Sequence, residues 1–506
     1  MSIRRTVYFG LALSAMCLTM CLTSGGQSST YWPSQKWRTA PPESQGIDSE
    51  ALAAAIDQVI EKPLGVHSLL VIRHGYAVVD ATFYPYDGST PHDLASVTKT
   101  VTSVLTGVAV AQKLIRLDQP LLPLFPKEGP AQADAQKRKI TVGDLLRMES
   151  GLDCGYAPGE RELEQMKRSA NWVQFALSLP MKYDPATHSS YCSPGYHLLG
   201  SAIGAAARMT EAEFGEKYLF GPLGIRGVVW ADDPQARSHG WGDSHFFPQD
   251  VAKIGYLYLH GGNWDGKQIV PADWVAMSTA APTGVRGEHG GMGYEWNVAN
   301  GPNGRQYGGT GRGGQSLIVW PDLDMIVVSM AGGNAGQIAQ LVRQAVKSDQ
   351  ALPPNPSAYA HLNQRVEYAR KPPAAGASSP LPAMAASISG AVYEFPVNPS
   401  RLDSLSLTFG KNGEARVDVE YYGQPLSFPI GMDGVYRLGP NGPFHMPAGA
   451  TAKWIGDNEL LLDVNFVANI NHYTLDIRFD RDQIEVTASE ASGLIRNGRL
   501  TGKRRS

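Results

Sequence analysis

The side chains with the clearest chemical potential in this sequence are Ser96 and Lys99, in the tetrapeptide Ser96-Val97-Thr98-Lys99. A lysine three residues after a serine lies on the same face of a helix, about one turn away, so its amine can reach the hydroxyl. This is the geometry of a nucleophile and its base. Apolar residues at helical spacing follow Lys99 and predict a helix from Ser96 to about residue 114. The alternative is a serine that caps the helix and a lysine that lies in solvent.

Two further motifs follow along the chain. Tyr191-Cys192-Ser193 is the only Tyr-x-Ser in the sequence, and it leads from a turn-rich stretch into a helix predicted to begin near Gly195. The second motif is glycine-rich, covers residues 308–315 and comes immediately before a predicted strand. It lacks the Gly-Lys-Ser/Thr ending of a phosphate-binding loop. The alternatives are a tyrosine that only packs and glycines that only turn the chain.

Strands and helices must hold these motifs in place. Apolar runs at 67–73 and 77–83 predict a hairpin, preceded by a helix over 47–60. The middle third has helical patterns broken by Gly and Pro. Runs of β-branched residues at 316–320 and 325–330 then predict two late strands, and another helix follows. We therefore expect an α+β fold, with one antiparallel sheet completed by distant parts of the chain, flanking helices and a helical subdomain.

Composition divides the chain into four parts. Residues 1–26 have the layout of a secretory signal peptide, with two arginines before an apolar run and small residues after it. An uncleaved membrane anchor is the alternative for this part. Residues 30–350 carry the chemical motifs, and residues 351–387 are rich in Pro and Ala and predict a linker. From 388 to 506, short alternating runs predict a separate, small all-β barrel or sandwich.

Composition also excludes several classes of function. The 506 residues carry a net charge of -3 and no basic block with interleaved aromatics, so nucleic acid is not an expected partner. No stretch after the signal has the length of a membrane span, and no His-Glu-x-x-His motif suggests a metal. Cys154 and Cys192 are an even pair, typical of one disulfide in an exported protein, with two separate thiols as the alternative. We expect a periplasmic or secreted protein, and its oligomeric state stays open.

With these motifs in this order, the chain resembles the serine hydrolases related to class C β-lactamases, D-Ala-D-Ala carboxypeptidases, and the esterases and 6-aminohexanoate-dimer hydrolases of the same fold. The supporting stretches are 95–100, 140–152, 191–200 and 250–270. Ser-Gly-Leu-Asp-Cys together with Tyr-Cys-Ser is most similar to the dimer-hydrolase and esterase branch. The resemblance implies a β-lactamase/transpeptidase-like sheet with flanking helices, and it leaves the tail domain outside.

The resemblance also implies a catalytic role for each motif. Ser96 would be the nucleophile, and its own N–H would be one oxyanion donor. Lys99, desolvated beside a phenol, would be the base. Tyr191 would relay the proton to the leaving group and then help to activate the hydrolytic water. Ser193 would orient Lys99 or the substrate by hydrogen bonding.

Substrate-binding residues are expected along the glycine-rich motif. The second oxyanion donor would follow Thr310-Gly311, as the backbone N–H of Arg312. Where β-lactamases and carboxypeptidases of the family carry Lys or His before Thr-Gly, this sequence has Gly309, so a cation that helps to recognise a carboxylate is missing. Ser193 likewise replaces the amide side chain of Tyr-x-Asn. Trp296 falls where relatives place pocket-lining aromatics, with a core tryptophan as the alternative.

These departures favour an ester or an unusual amide over a β-lactam. We expect an exported serine hydrolase that forms an acyl-enzyme at Ser96, uses no metal or cofactor, and acts on a small-molecule ester or amide. One alternative is a D-amino-acid peptidase, carboxypeptidase or weak β-lactamase on the same fold. The other is a catalytically idle binding or sensor protein that keeps the fold.

Overall fold

The computed structural model describes residues 31–62, 64–129, 134–155, 159–281, 293–301, 304–377, 380–398, 400–410, 414–480 and 482–506. The predicted signal peptide, residues 1–26, lies outside these ranges. Within them, no helix has the length and apolar character needed to cross a bilayer. We call residues 33–350 the first domain and residues 388–506 the barrel.

Strands from distant parts of the sequence build the first domain. They are β1 (Arg38–Thr39), β2 (Val66–Arg73), β3 (Tyr76–Thr82), β4 (His92–Asp93), β5 (Val229–Trp230), β6 (Ser244–Phe246), β7 (Asn263–Trp264), β8 (Lys267–Gln268), β9 (Asn297–Gly301), β10 (Gly304–Gly311), β11 (Gln315–Trp320) and β12 (Met325–Ala331). Seven form one sheet in the order β1-β3-β2-β12-β11-β10-β9. Its neighbouring strands are antiparallel except β1 and β3. The pairing of β2 with β12 confirms the predicted sheet that distant segments complete.

Helices surround this sheet. They are α1 (Ser49–Glu61), α2 (Val97–Ala111), α3 (Val142–Leu146), α4 (Arg161–Met166), α5 (Trp172–Ser178), α6 (Ser193–Ala207), α7 (Glu211–Gly215), α8 (Gly221–Leu223), α9 (Pro248–Leu259), α10 (Ala272–Ser278), α11 (Ile338–Ala345), α12 (Pro356–Ala369) and α13 (Ala383–Ile388). Successive side chains of a strand point to opposite faces. Val327 therefore joins the core beneath α1 and α11, whereas its neighbour Ile326 lies against Gly255 of α9. Helices α3, α5 and α7 gather around α6 as the expected helical subdomain.

The segment 351–387 differs from the expected linker, because it contains α12, which packs on α1. The side chain of Asn355 caps this helix and Pro356 occupies its first turn. Leu362 and Ala369 are buried in the core shared with α1. Proline at the first turn and alanine within a helix are both favourable, so the composition that predicts a linker also permits this helix. After α12, residues 371–377 have no regular secondary structure.

The C-terminal part is a closed barrel, which confirms the expected small all-β domain. Its strands are β13 (Val392–Glu394), β14 (Leu402–Phe409), β15 (Ala415–Tyr421), β16 (Gln424–Gly431), β17 (Arg437–Gly439), β18 (Ala448–Trp454), β19 (Glu459–Asn465), β20 (His472–Asp480), β21 (Gln483–Glu490) and β22 (Gly498–Arg504). They pair in the order β16-β15-β14-β13-β22-β21-β20-β19-β18-β17. A further parallel pairing of β16 with β18 closes the ring, and buried residues such as Val417, Phe428 and Ile477 fill it.

The barrel packs against the first domain. Tyr86, just after β3, shares an apolar cluster with Met446, Val467 and Ala468 of the barrel. The Tyr86 hydroxyl also donates to the carbonyl oxygen of Thr90, at 2.7 Å. The barrel therefore contacts the segment that leads from β3 towards Ser96.

Candidate active site

Ser96 lies at the start of α2, in a turn with an unusual backbone. Ala95, the residue before it, has a positive φ of 46°, a conformation that alanine rarely adopts. The turn is held because the Ala95 N–H donates to Asp93 Oδ1 at 2.7 Å. Within the described residues, the Ser96 side chain makes no capping hydrogen bond to its own helix. The hydroxyl faces two other side chains instead.

Lys99 is the first of these partners. Its Nζ lies 3.1 Å from Ser96 Oγ and donates to the Trp241 carbonyl oxygen at 2.8 Å. The side chain is fully buried, and this burial lowers the pKa of the amine below its usual value of 10.5. The carboxylates of Glu160 and Glu295 act in the opposite direction, because negative charge favours the ammonium form. The alternative of a solvated surface lysine is therefore wrong.

Tyr191 is the second partner. Its hydroxyl lies 2.6 Å from Ser96 Oγ, and Lys99 Nζ is 4.7 Å from the centre of its ring. The Cys154–Cys192 disulfide, predicted from the even pair of cysteines, is confirmed and fixes the residue next to Tyr191. Cys192 also caps α6, since its Sγ accepts the N–H of Gly195. One serine hydroxyl thus lies within hydrogen-bond distance of both an amine and a phenol.

The glycine-rich motif lies beside the nucleophile. It forms the end of β10 rather than a loop before a strand, and a Cβ on Gly311 would lie 3.0 Å from the Ser96 nitrogen. Gly309 packs against α2, where a Cβ would lie 2.4 Å from Thr100 Oγ1. A lysine or histidine at this position would force the Thr100 side chain to move. Thr310 is exposed, and its Oγ1 accepts a hydrogen bond from Asn297 Nδ2 at 3.0 Å.

The side chains of Ser193 and Arg312 both bind carboxylates. The Ser193 hydroxyl donates to Glu160 Oε1 at 3.0 Å. Orientation of Lys99 or the substrate by Ser193 stays a prediction. The Arg312 guanidinium donates to Ser492 Oγ of the barrel at 2.8 Å and forms an ion pair with Glu490 at 3.5 Å. Its backbone continues from Gly311 into a tight turn beside Ser96.

Trp296 is not a wall of the cleft, which corrects the expectation. Its side chain is fully buried, with its ring centre 4.0 Å from that of Tyr258 and 5.6 Å from that of Tyr307. The alternative of a core tryptophan is the one observed. An apolar indole between two buried tyrosines gains more from packing than it would at a wet pocket wall.

Glu295, just before Trp296, is the functional candidate that sequence reasoning missed. It is 4% exposed, has a positive φ of 59°, and its carbonyl oxygen accepts the hydroxyl of Thr100, next to Lys99. Among the residues that the structure describes, Oε2 has no hydrogen-bond partner. Burial raises the pKa of this carboxyl to about 7, while nearby Lys99 lowers it. The sequence signal that could have indicated Glu295 is its position between two aromatic residues, in Tyr294-Glu295-Trp296.

Comparisons with known proteins concern the family and the fold of this chain. A family model described as Beta-lactamase matches residues 53–351. A protein of Salmonella typhimurium named as a D-alanyl-D-alanine carboxypeptidase is 24% identical over 254 residues, 45% of this chain and 56% of that protein. The chain thus spans between about one third and just over half of the length of the curated relatives that it matches.

Two solved structures share the fold. A protein from Bacillus anthracis named as a 6-aminohexanoate-dimer hydrolase is 16% identical, with a TM-score of 0.50, over 67% of this chain and 89% of that one. EstCE1, a hydrolase with promiscuous acyltransferase activity, is 17% identical, with a TM-score of 0.51, over 59% of this chain and 99% of its own. At these identities the likeness concerns the fold alone.

Proposed function

Because the chain belongs to the β-lactamase family, we propose that it is an exported serine hydrolase that forms an acyl-enzyme at Ser96 and hydrolyses a small ester or amide. The observation that carries this proposal is the position of Ser96 Oγ, 3.1 Å from Lys99 Nζ and 2.6 Å from Tyr191 Oη. Export is supported by the Cys154–Cys192 disulfide, since such bonds persist in oxidising compartments.

Acylation follows from this arrangement. Lys99 loses its proton more readily than a solvated lysine because burial lowers its pKa. As Ser96 Oγ attacks the substrate carbonyl, its proton passes to the Lys99 and Tyr191 pair, and a tetrahedral intermediate forms. The backbone N–H groups of Ser96 and Arg312 stabilise the oxyanion. Tyr191 then protonates the leaving alcohol or amine, which breaks the ester or amide bond.

Deacylation reverses these roles. A water molecule takes the position of the leaving group, and Tyr191 accepts its proton as it attacks the acyl carbon. The second tetrahedral intermediate collapses, the acid product leaves, and the proton returns to Ser96 Oγ. No step of this cycle requires a group outside the chain other than water and the substrate.

Substrate preference is inferred from the charges along β10. Gly309 supplies no cation to bind a substrate carboxylate, and the Arg312 guanidinium is paired with Glu490. Glu160 and Glu295 add negative charge near Lys99. These features favour an ester or amide without a carboxylate over a β-lactam or a peptide C terminus.

The central test is Ser96→Ala with p-nitrophenyl acetate as substrate and a fluorophosphonate as label. We expect turnover and labelling to disappear in this variant. Ser103→Ala is the matched control, because Ser103 is a buried serine of the same helix whose hydroxyl has no partner within the described ranges. Turnover that survives Ser96→Ala would contradict the proposal.

A substrate panel separates the remaining alternatives. It should contain short-chain esters, D-aminoacyl amides, aminohexanoate oligomers and nitrocefin. Turnover of the esters, with slow turnover of nitrocefin, is the expected result. Faster turnover of the D-aminoacyl amides or nitrocefin would favour a peptidase or β-lactamase. No turnover and no labelling of Ser96 would favour an idle binding protein.

A further inference from the structure

The barrel holds the residue that would carry the second oxyanion N–H. Arg312 donates to Ser492 Oγ at 2.8 Å and pairs with Glu490 Oε1 at 3.5 Å. The Glu490 side chain is fully buried, and its Oε2 accepts hydrogen bonds from Ser492 Oγ at 2.6 Å and from the Leu494 nitrogen at 3.2 Å. The end of β21 therefore presents a carboxylate to Arg312, and the loop after the strand fixes it.

The barrel also holds the turn before the nucleophile. The Asp93 N–H donates to the Ala468 carbonyl oxygen at 2.9 Å. Asp93 in turn accepts the Ala95 N–H, so the contact acts on the residue next to Ser96. Asn469 contributes as well, because its Oδ1 lies 3.0 Å from Nε2 of His245, the partner of Asp93 in the pairing of β4 with β6.

The two contacts come from neighbouring parts of one surface. Ile470 follows Asn469 and lies against Gly313, where a Cβ would be 3.0 Å from the Ile470 Cβ. Gly313 has a φ of 80°, which a residue with a side chain rarely adopts. The tight turn after Arg312 is thus enclosed by the barrel on the side of Ile470 and tied to it through Glu490.

We infer that the barrel completes the oxyanion hole of the first domain, and that Glu490 is a positioning residue that acts through the Arg312 guanidinium. The inference rests on the proposed function. An oxyanion hole works only when both N–H groups point at the position that the oxyanion will occupy. Here each of the two N–H groups belongs to a segment that a barrel loop holds by hydrogen bonds.

The test compares variants of Glu490 and Ser492 in the full chain. Glu490→Ala with Ser492→Ala removes both acceptors of the Arg312 guanidinium, whereas Glu490→Gln keeps a hydrogen-bonding oxygen. Glu459→Gln is the matched control, because Glu459 pairs with Arg478 within the barrel. Kinetics with p-nitrophenyl acetate are normalised to the number of active sites titrated with a fluorophosphonate.

Loss of one oxyanion donor costs about 10² to 10³ in kcat, and a displaced donor costs part of this. We therefore expect kcat per titrated site to fall about tenfold or more in the double variant, with KM within about twofold of the parent. The kcat per titrated site of Glu490→Gln should lie between those of the double variant and the parent, and that of Glu459→Gln should equal the parent's. In Ser492→Ala alone, kcat per titrated site should fall several-fold. This variant tests the inference even if the double variant does not fold.

A purely structural role of the barrel gives a different result. In that case fewer sites would titrate, but kcat per titrated site would equal that of the parent in both the double variant and Ser492→Ala. This result would overturn the inference and leave the proposed function intact. Failure of the proposed function is distinguished by Ser96→Ala, which would then retain the activity of the parent.

Discussion

Glu295→Gln should stabilise the folded protein more at pH 8 than at pH 5. The carboxyl is 4% exposed, and burial raises its pKa from 4.5 to about 7. A carboxyl with a raised pKa favours folding at low pH, and this contribution is lost as the pH rises through the folded-state value. A pKa difference of 1 corresponds to about 1.4 kcal/mol, so ionising Glu295 costs the folded state about 3 kcal/mol. Most of this cost develops between pH 5 and pH 8.

Urea unfolding of parent and variant at pH 5, 6, 7 and 8 measures the difference. Trp454 is the only tryptophan after residue 350, so tryptophan fluorescence reports mainly on the first domain. The stability gained by the variant should grow by about 2 to 3 kcal/mol from pH 5 to pH 8. Comparing two pH values cancels any constant cost of placing an amide in this pocket. Glu61→Gln, at the exposed end of α1, is the control and should show no such growth.

A gain that does not change with pH would refute this reasoning. A loss that increases with pH would refute it as well, because Glu295 would then be ionised and stabilised by Lys99 in the folded state. The same substitution also removes a negative charge that raises the pKa of Lys99. The acid limb of the kcat/KM profile should therefore move to lower pH in the variant.

Three further predictions concern the base, the phenol and the disulfide. Lys99→Met should lower kcat for p-nitrophenyl acetate by about 10² to 10⁴, which is the contribution of a general base. In the parent, kcat/KM should rise with pH as Lys99 loses its proton, with a pKa below 10.5. Tyr191→Phe removes the hydroxyl 2.6 Å from Ser96 Oγ and should lower kcat by about 10² or more, measured with the same ester. Cys154→Ser should lower the free energy of unfolding by about 4 kcal/mol in urea, because it opens a cross-link between positions 38 apart in the sequence.

Each of these predictions has a contrary outcome. A pH profile of Lys99→Met that still rises as in the parent would assign the acid limb to another group. Unchanged kcat in Tyr191→Phe would mean that the leaving group takes its proton from elsewhere. Equal stability of Cys154→Ser and the parent under oxidising conditions would mean that the bond to Cys192 does not constrain the unfolded chain. Cys192→Ser should lose the same cross-link, and a serine at this position can still cap α6.

Much of the first domain could be predicted because its signals are local. The hairpin of β2 and β3 follows from two apolar runs around a glycine with a φ of 73°. Helix α2 follows from the apolar spacing after Lys99. The contact of Lys99 with Ser96 follows from the helix alone. These features depend on neighbours in the sequence, so composition and spacing were sufficient.

The features that were missed depend on distant contacts. Residues 304–311 form a strand although glycine is a poor strand former. Glycine occurs at position 309 because α2 lies so close that a side chain there would collide with it. Glu295 is charged, a property that normally indicates a surface position, and its burial beside Lys99 is created by the fold. The contacts of Glu490 and Ala468 link the barrel to residues far away in the sequence, and the sequence carries no local signal for them.

The closure of the barrel has a consequence for the order in which the protein matures. Strand β22 pairs with both β13 and β21, so the ring cannot close until residues 498–504 have been synthesised. All residues of the proposed catalytic group are made long before that, yet Glu490 and Ala468 reach Arg312 and Asp93 only from a folded barrel. The site therefore stays incomplete until the barrel has closed. Hydrolytic competence should accordingly appear late in biosynthesis, when the tail domain has folded onto the first.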